Sequence, residues 1–477
     1  MRNWCGAALM VALLGGCTVG PDYEQPDLDL PAEWPEEVAE RMGPDYDDVA
    51  FWWELYEDPI LERLVREALE NNLEVGVAAA RVAQARAVLG FRRAEQYPTL
   101  DGLVEAERED PGLTGGGIDS EFTVAGVLSY ELDLWGRLSR AEEAARAQLL
   151  GTAYSRDAVR LAVISDVAST YFDYRAIKEQ IDTTENTIGS LIEALELERS
   201  RRDSGASTEL AVRQAEAELE TSRAGLPGLR AEAEQRRRAL AVLVGDTAAV
   251  LSGLDDLGDH GLPDLPDAAT ELPQTLPSEM LVRRPDVRAA ESFLVAANAD
   301  IGATRAEWLP SVNLAGIFGT AATTPGDLFT SGSTLWEVIG TATVPILDFG
   351  RRQAQVEEVE EAREIAELQY RSTIQEAFRE VGDAWTLMNA ADERMTVRER
   401  EVAARIEVAQ LAERRYLGGY VPYLEVLDAR RSLFDARLTM TEAARDRLVA
   451  TATLYRALGG GWDPDAVAAG WGEVDAD

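Results

Sequence analysis

The chain states its plan twice, and a repeat of that length limits the fold to two similar halves. The clearer copy, Glu407 to Gly461, reads as helix, tight turn, helix. Leu411, Tyr416, Gly418-Gly419 and Pro422 mark the turn, because paired glycines and a following proline end one helix and start the next. Leu424, Leu427, Phe434, Leu438 and Leu448 then recur at coiled-coil spacing. The earlier copy runs from Leu195 to Gly245, with Gly205 standing 214 residues before Gly419. The same spacing separates Leu134-Trp135-Gly136-Arg137 from Asp348-Phe349-Gly350-Arg351, and a spacing of 212 separates Tyr97-Pro98 from Leu309-Pro310. Turns, strands and helices fall in the same order in both registers. The unit is a duplicated half-molecule and not a solenoid of short repeats.

Each half predicts the same elements. A helix opens at Pro59, with Leu61, Leu64, Val65, Ala68, Leu69 and Leu73 on one stripe, and runs to Tyr97-Pro98. The period then changes to two, predicting strands over about 98–109 and 121–134, with Asp110–Ser120 as a loop. Gly136 opens a helix reaching about Asp203, on the order of 100 Å at 1.5 Å per residue. A second helix returns to Gly245, with Pro227 as a kink or break. The second half repeats this from Pro285, with strands over about 310–320 and 335–348. Pro345 weakens the last strand near its end. The alternation fits a barrel between lipid and water, and equally a half-buried hairpin of a soluble sheet. Four strands cannot close a barrel, and a membrane tolerates no open sheet edge, so the barrel reading demands other copies of the chain.

The N-terminus adds a compartment. Met1 to Gly16 has Arg2 ahead of a short apolar core, Gly6 to Leu14, which reads as a secretory signal too short to span a bilayer. It ends in Leu14-Gly15-Gly16-Cys17, which resembles the bacterial lipobox, whose cysteine is acylated and becomes the mature N-terminus. Cys5 leaves with the signal, so Cys17 is the sole mature cysteine and no disulfide within the chain can form. Thr18 follows Cys17 in place of Asp, which by the lipoprotein sorting rule favours the outer membrane. No later stretch reaches the roughly 18 apolar residues of a membrane helix. Acidic residues outnumber basic ones 86 to 46, a formal charge of −40, which argues against a nucleic-acid partner. The surplus reads either as a salt-adapted surface or as a field that favours cations in a channel. His260 is the single histidine, so histidine triads and multi-histidine metal sites are excluded. No phosphate-binding loop appears either, and the chain reads as a non-enzyme with no cofactor.

Three stretches carry a family resemblance. They are Cys17-Thr18-Val19-Gly20-Pro21-Asp22-Tyr23; Leu276-Pro277-Ser278 with Arg283-Arg284-Pro285-Asp286-Val287-Arg288; and Tyr423 to Leu433 with the closing Ala457-Leu458-Gly459-Gly460-Gly461-Trp462. With the duplicated layout they resemble the TolC-like outer-membrane efflux proteins, in particular the lipoprotein branch serving resistance-nodulation-division multidrug pumps. The resemblance implies an α+β homotrimer. Three subunits would share a 12-stranded barrel, four transmembrane strands from each, continued by a periplasmic α-helical coiled-coil tunnel with a mixed equatorial domain. It implies residues 1–16 as signal, 17–58 as an extended lipoprotein segment, 59–245 and 278–461 as the two repeats, 246–277 as an equatorial connector and 462–477 as a tail. Its partners would be a periplasmic adaptor, an inner-membrane pump and outer-membrane lipid. The function implied is a passive exit duct for drugs or other small toxic compounds. A type I protein-secretion duct and a non-pore periplasmic coiled-coil protein are the alternatives.

Seven residues are singled out. Cys17 is the lipidation site. Gly205, Gly418 and Gly419 form the helix-tip turns, which are the expected adaptor contacts and also satisfy left-handed turn geometry. Glu425 and Asp428 are three apart and share one helix face just past the turn. Three copies would stack them as two acidic rings that select cations, whereas a simple helix-end role would have them only favour the helix N-terminus. Tyr416 matches a tyrosine that helps hold TolC closed. The basic and acidic partners of that lock fall at Val421 and Ala211, so the resemblance implies a different closing contact here.

Overall fold

Period-two alternation becomes one antiparallel sheet. The computed structural model describes residues 18–28, 42–43, 51–109, 119–258, 261–265, 272–273 and 283–462. Strands β1 (Thr99–Glu109), β2 (Asp119–Leu132), β3 (Ser311–Ala322) and β4 (Thr334–Thr343) lie in the order β1-β2-β3-β4. Thr99 faces Ser129 across the first hairpin, Leu132 faces Val312 at the junction, and Ser311 faces Thr343 across the second hairpin. One sheet face carries Leu100, Val104, Phe318, Trp336 and Val338, all more than two-thirds exposed in the single chain. The other carries Asp101, Glu105, Glu107, Glu121, Glu131 and Glu337, because successive side chains point to opposite faces. β4 was expected to reach residue 348 and stops at Thr343. Pro345, two residues on, has no N–H to continue a ladder.

Helices occupy the rest. They are α1 (Pro59–Asn71), α2 (Leu73–Ala94), α3 (Arg137–Asp203), α4 (Glu209–Leu243), α5 (Pro285–Ala306), α6 (Arg351–Leu417) and α7 (Tyr423–Ala457). The duplication shows in their lengths: α3 and α6 have 67 residues each, and α4 and α7 have 35 each. The single helix expected from Pro59 to Tyr97 is instead two. Asn72 takes an extended ψ of 131°, and its side-chain oxygen caps α2 by accepting from Glu74 N and Val75 N, while its Nδ2 donates to Leu243 O at 2.7 Å. Local capping outweighs the continuous apolar stripe. Pro227 does not break α4. It lies on an exposed stretch, where the carbonyl it leaves without a donor can turn to water.

The chain forms two compact units. One holds the sheet, residues 80–153 and 289–372, and the segment up to Leu28. In it, Thr18–Asp27 is laid as a strap. Val19 N donates to Trp135 O, Asn298 Nδ2 to Pro21 O at 3.0 Å, Tyr23 Oη to Glu291 at 3.4 Å and Gln25 Nε2 to Tyr370 Oη at 3.1 Å. Arg140 pairs with Asp22 at 2.6 Å. A Cβ on Gly20 would lie 2.4 Å from Gly302 Cα, so both glycines are required for the strap to seat.

The other unit comprises residues 29–79, 154–288 and 373–477. A 3₁₀ turn, Trp52–Tyr56, packs its aromatic rings into it: Trp52 stacks on Tyr455 at 5.9 Å and Tyr56 Oη donates to Leu448 O. Trp52, Leu61, Leu64, Tyr171 and Phe172 are essentially inaccessible, each contributing roughly 1.5–3 kcal/mol by burial. Asp58 caps α1 through Ile60 N and Leu61 N and accepts from Tyr171 Oη at 2.8 Å, so this buried carboxylate has its hydrogen bonds met. Arg284 of the Arg283–Arg288 stretch donates to Ala457 O and pairs with Asp286 and Glu380, while Trp462 Nε1 donates to Arg283 O. The closing Gly-Gly-Gly-Trp and the Arg-Arg-Pro-Asp stretch are therefore two halves of one contact.

Candidate functional site

The paired helix tips bring the candidate residues together. At the first, Gly205 has φ +80°, and Ala206 N donates back to Arg201 O at 2.7 Å. At the second, Gly419 has φ +77°, and Tyr420 N donates back to Arg415 O at 2.9 Å. Both are glycine-closed helix ends with the same six-to-one hydrogen bond, repeated 214 residues apart. Gly418 sits one residue earlier, where a Cβ would meet the Tyr420 ring at 2.8 Å. Thr208 then caps α4 through Ala211 N, and Pro422 stands at the N-cap of α7.

A small apolar core lies beneath the tips. Leu191, Leu195, Ala211, Val212, Ala215, Leu219, Ala412, Tyr423, Val426 and Leu427 are all buried in it. Into this core α3 projects Glu198, which is 1% exposed. Tyr416 Oη and Ser207 Oγ each donate to Glu198 Oε2 at 2.7 Å. Arg201 lies 3.8 Å from Glu198 Oε1, and its guanidinium stands 5.0 Å over the Tyr416 ring. Tyr416 in turn leans on Tyr423, with ring centres 5.3 Å apart. Burial pushes the Tyr416 hydroxyl up, and the Glu198 carboxylate adds to the rise. Burial also pushes Tyr423 up to about 12, against the pull of Arg430. Both tyrosines are therefore neutral near pH 7, and Tyr416 is the one that donates, to Glu198. The contact ties the first helical hairpin to the second within one chain, because Glu198 belongs to α3 and Tyr416 to α6.

The remaining candidates lie in solvent. Glu425 pairs with Arg415 at 2.9 Å, and Asp428 sits 3.8 Å from Arg431, which also binds Glu218. The carboxylates stay substantially exposed, at 42% and 63% of their side-chain surface, so these pairs are weakly held. Val421 makes no lock contact, and Ala211 is buried in the tip core. Cys17 and His260 lie outside the described residues. Glu198 is the residue sequence reasoning missed. Its signal was available: Leu191, Leu195 and Glu198 occupy successive positions of one heptad stripe, and a carboxylate on such a stripe requires a buried partner.

Among the described residues no group of three or more His, Cys, Asp or Glu is placed to hold a metal, and no helix is long and apolar enough to cross a membrane. Residues 64–246 and 276–460 match the family described as outer membrane efflux protein. The chain is 35% identical over 459 residues to the solvent efflux pump outer membrane protein SrpC of Pseudomonas putida, covering 94% of this chain and 96% of that protein. It is 33% identical over 457 residues to the cation efflux system protein CusC of Escherichia coli O6:H1, with 94% and 96% covered. The solved outer-membrane channel OprN is 29% identical, with a TM-score of 0.86 over 94% of this chain and 100% of that one.

Proposed function

Since the chain belongs to the outer membrane efflux protein family and is an outer-membrane efflux channel, we propose that it is the exit duct of a three-part pump. The observation that carries this reading is the four-stranded sheet. It has one apolar face, one carboxylate-lined face and two open edges, in a chain that also carries two long helical hairpins. An open edge cannot stay in a bilayer, so copies of the chain must close it. Three copies bring twelve strands, with the apolar face toward lipid and the acidic face toward a water-filled lumen.

In this reading a periplasmic adaptor meets the turns at Gly205 and Gly418-Gly419 and links the duct to an inner-membrane pump, which supplies the energy. Cys17 carries the lipid and anchors the chain at the outer membrane. Tyr416, held by Glu198, keeps the two hairpins of a subunit together at the tip. Glu425 and Asp428 place carboxylates near the same end. The lumen carboxylates and a formal charge of −40 favour cationic over anionic permeants. The cargo is drugs or other small toxic compounds. SrpC and CusC, named for solvents and for cations, are similarly related to this chain, so neither name selects the cargo.

Conductance across planar bilayers tests the duct. The purified protein is expected to form cation-preferring channels, and a folded trimer with no conductance would point to a non-pore coiled-coil protein. Deleting the gene separates the two duct readings. Loss of resistance to several toxic compounds supports efflux, and loss of a secreted protein alone supports type I secretion.

A further inference from the structure

The duplication fixes the sheet to the residue. Thr99 and Ser129 face each other in the first hairpin; adding 212 to one and 214 to the other gives Ser311 and Thr343, which face each other in the second. The same mapping carries Ala106 and Phe122 onto Phe318 and Trp336, again a facing pair. The two hairpins are thus identical in register. A closed ring of such hairpins has two kinds of junction, β2 to β3 inside a chain and β4 to β1 between chains. The first is in the structure: Ser129 faces Ala315, Leu128 faces Gly316 and Val127 faces Ile317.

Resting on the closed-trimer reading above, we propose that β4 pairs antiparallel with β1 of a second copy in the register obtained by moving β2 forward 214 and β3 back 212. Thr343 then faces Leu103 of the partner subunit, Ala342 faces Val104 of the partner subunit, and Thr341 faces Glu105 of the partner subunit. The ladder runs on to Glu337 opposite Glu109 of the partner subunit. This junction pair is the counterpart of Thr123 opposite Ala321, and a like-charge pair of the same kind, Glu107 opposite Glu121, already stands near the loop end of the first hairpin.

Three observations support the assignment. First, the face parity is right. Ala342 and Val104 both belong to the apolar face, and Thr341 and Glu105 to the polar one, whereas a one-residue slip would invert every side chain. Second, exposure follows the missing neighbour. β3, with a strand on each side, is largely half-buried, while its counterpart β1 is exposed everywhere but Leu103. β4 is likewise exposed everywhere but Leu335.

Third, the apolar residues past β4 are bare where their counterparts are covered. Tyr130, Leu132 and Trp135 are half-buried; Val344, Ile346 and Phe349 are 53%, 95% and 92% exposed. Trp135 donates its Nε1–H to Pro310 O at 2.8 Å. The counterpart of Pro310 is Pro98, beside Tyr97, which is 70% exposed. Phe349 thus has, on Tyr97-Pro98 of the partner subunit, the seat that Trp135 has on Leu309-Pro310. It also holds φ at +55°, a conformation an aromatic residue rarely adopts without surroundings that impose it.

Disulfide trapping in the full-length protein, in its membrane, tests the register. Two variants carry matched pairs, Ala342→Cys with Val104→Cys and Thr341→Cys with Glu105→Cys. Successive antiparallel pairs alternate between close and wide, so one of the two is the close kind. Two controls shift the register by two residues, Ala342→Cys with Ala106→Cys and Ala342→Cys with Gly102→Cys. That shift displaces the thiols by about 7 Å, beyond the usual disulfide span. The parent chain sets the background from Cys17.

On oxidation a matched pair should give covalent multimers up to three chains on denaturing gels, at least tenfold more than either shifted pair. A shifted pair that traps as well as a matched one overturns the register. Native mass spectrometry without oxidant separates the two levels of the argument. A trimer that no pair traps overturns the β4–β1 assignment alone, and a monomer overturns the closed-barrel reading together with it.

Discussion

Replacing Tyr416 by Phe removes one oxygen and leaves the ring on Tyr423 and beneath Arg201. The lost hydroxyl is one of two donors to Glu198 Oε2, each at 2.7 Å. Glu198 is 1% exposed, so water does not replace the missing donor without opening the tip, and the nearest cation stays 3.8 Å away at Arg201. A hydrogen bond to a charged group contributes about 1.5–3 kcal/mol. Tyr416 is itself half-buried, which favours the lower end, about 1.5 kcal/mol or roughly tenfold in the opening equilibrium. Amide hydrogen exchange read by mass spectrometry measures this directly. Peptides covering residues 195–208 and 411–423 should exchange about tenfold faster in Tyr416→Phe, with the β-strands unchanged. Combining it with Glu198→Gln completes a double-mutant cycle. Residues in direct contact couple by 0.5 kcal/mol or more. Strict additivity, or acceleration spread over the whole chain, would refute the claim that Glu198 and Tyr416 act as a tie between the hairpins.

Four further outcomes are expected. Glu425→Ala with Asp428→Ala should shift the reversal potential in asymmetric salt toward lower cation preference with the trimer intact; an unchanged potential with lower stability would assign both carboxylates to the helix end instead. Cys17→Ser should abolish incorporation of labelled fatty acid, and equal labelling would remove the lipobox assignment. Gly205→Ala meets no atom within 4 Å, so only its φ of +80° resists, and the first turn should loosen by about 1–2 kcal/mol in hydrogen exchange, without aggregation. The buried Tyr423 hydroxyl has its folded-state value raised from 10.0 to about 12. A raised value means its contribution is whole below pH 10 and is lost as pH climbs through about 12, so an alkaline melt should weaken the tip in that window, and Tyr423→Phe, which keeps the raised Tyr416 hydroxyl, should weaken less.

Legibility in the sequence followed the strength of the local signal. The strands were readable because one face must be apolar throughout, and that demand survives without knowing any neighbour. Their far ends were less so. Pro345 flagged a weakness, but a single chain has no strand beyond β4, and the ladder stops at Thr343. The break at Asn72 was hidden because Leu69 and Leu73 continue one stripe straight across it, and only the partners of the Asn72 side chain, one of them Leu243 O, reveal a cap. Pro227, expected as a kink or break, does not end the helix, since an exposed carbonyl can turn to solvent. At the tip, the glycines announced the turns, yet the acid that holds Tyr416 sits on the preceding helix and not at the position the resemblance suggested. Glu198 and Tyr416 are 218 residues apart, a pairing that only the packing of two duplicated hairpins creates.

The strap of Thr18–Asp27 has a consequence in time. Protein synthesis delivers it before any of its partners. Asp22 waits 118 residues for Arg140, Pro21 waits 277 for Asn298, and Gln25 waits 345 for Tyr370. Among the described residues, a chain stopped after its first half offers the strap Trp135, Gly136 and Arg140. The remaining clasps, and the Gly302 backbone that receives Gly20, arrive only with the second half. The strap therefore seats in full only when residues of both halves, from Trp135 to Tyr370, are in place.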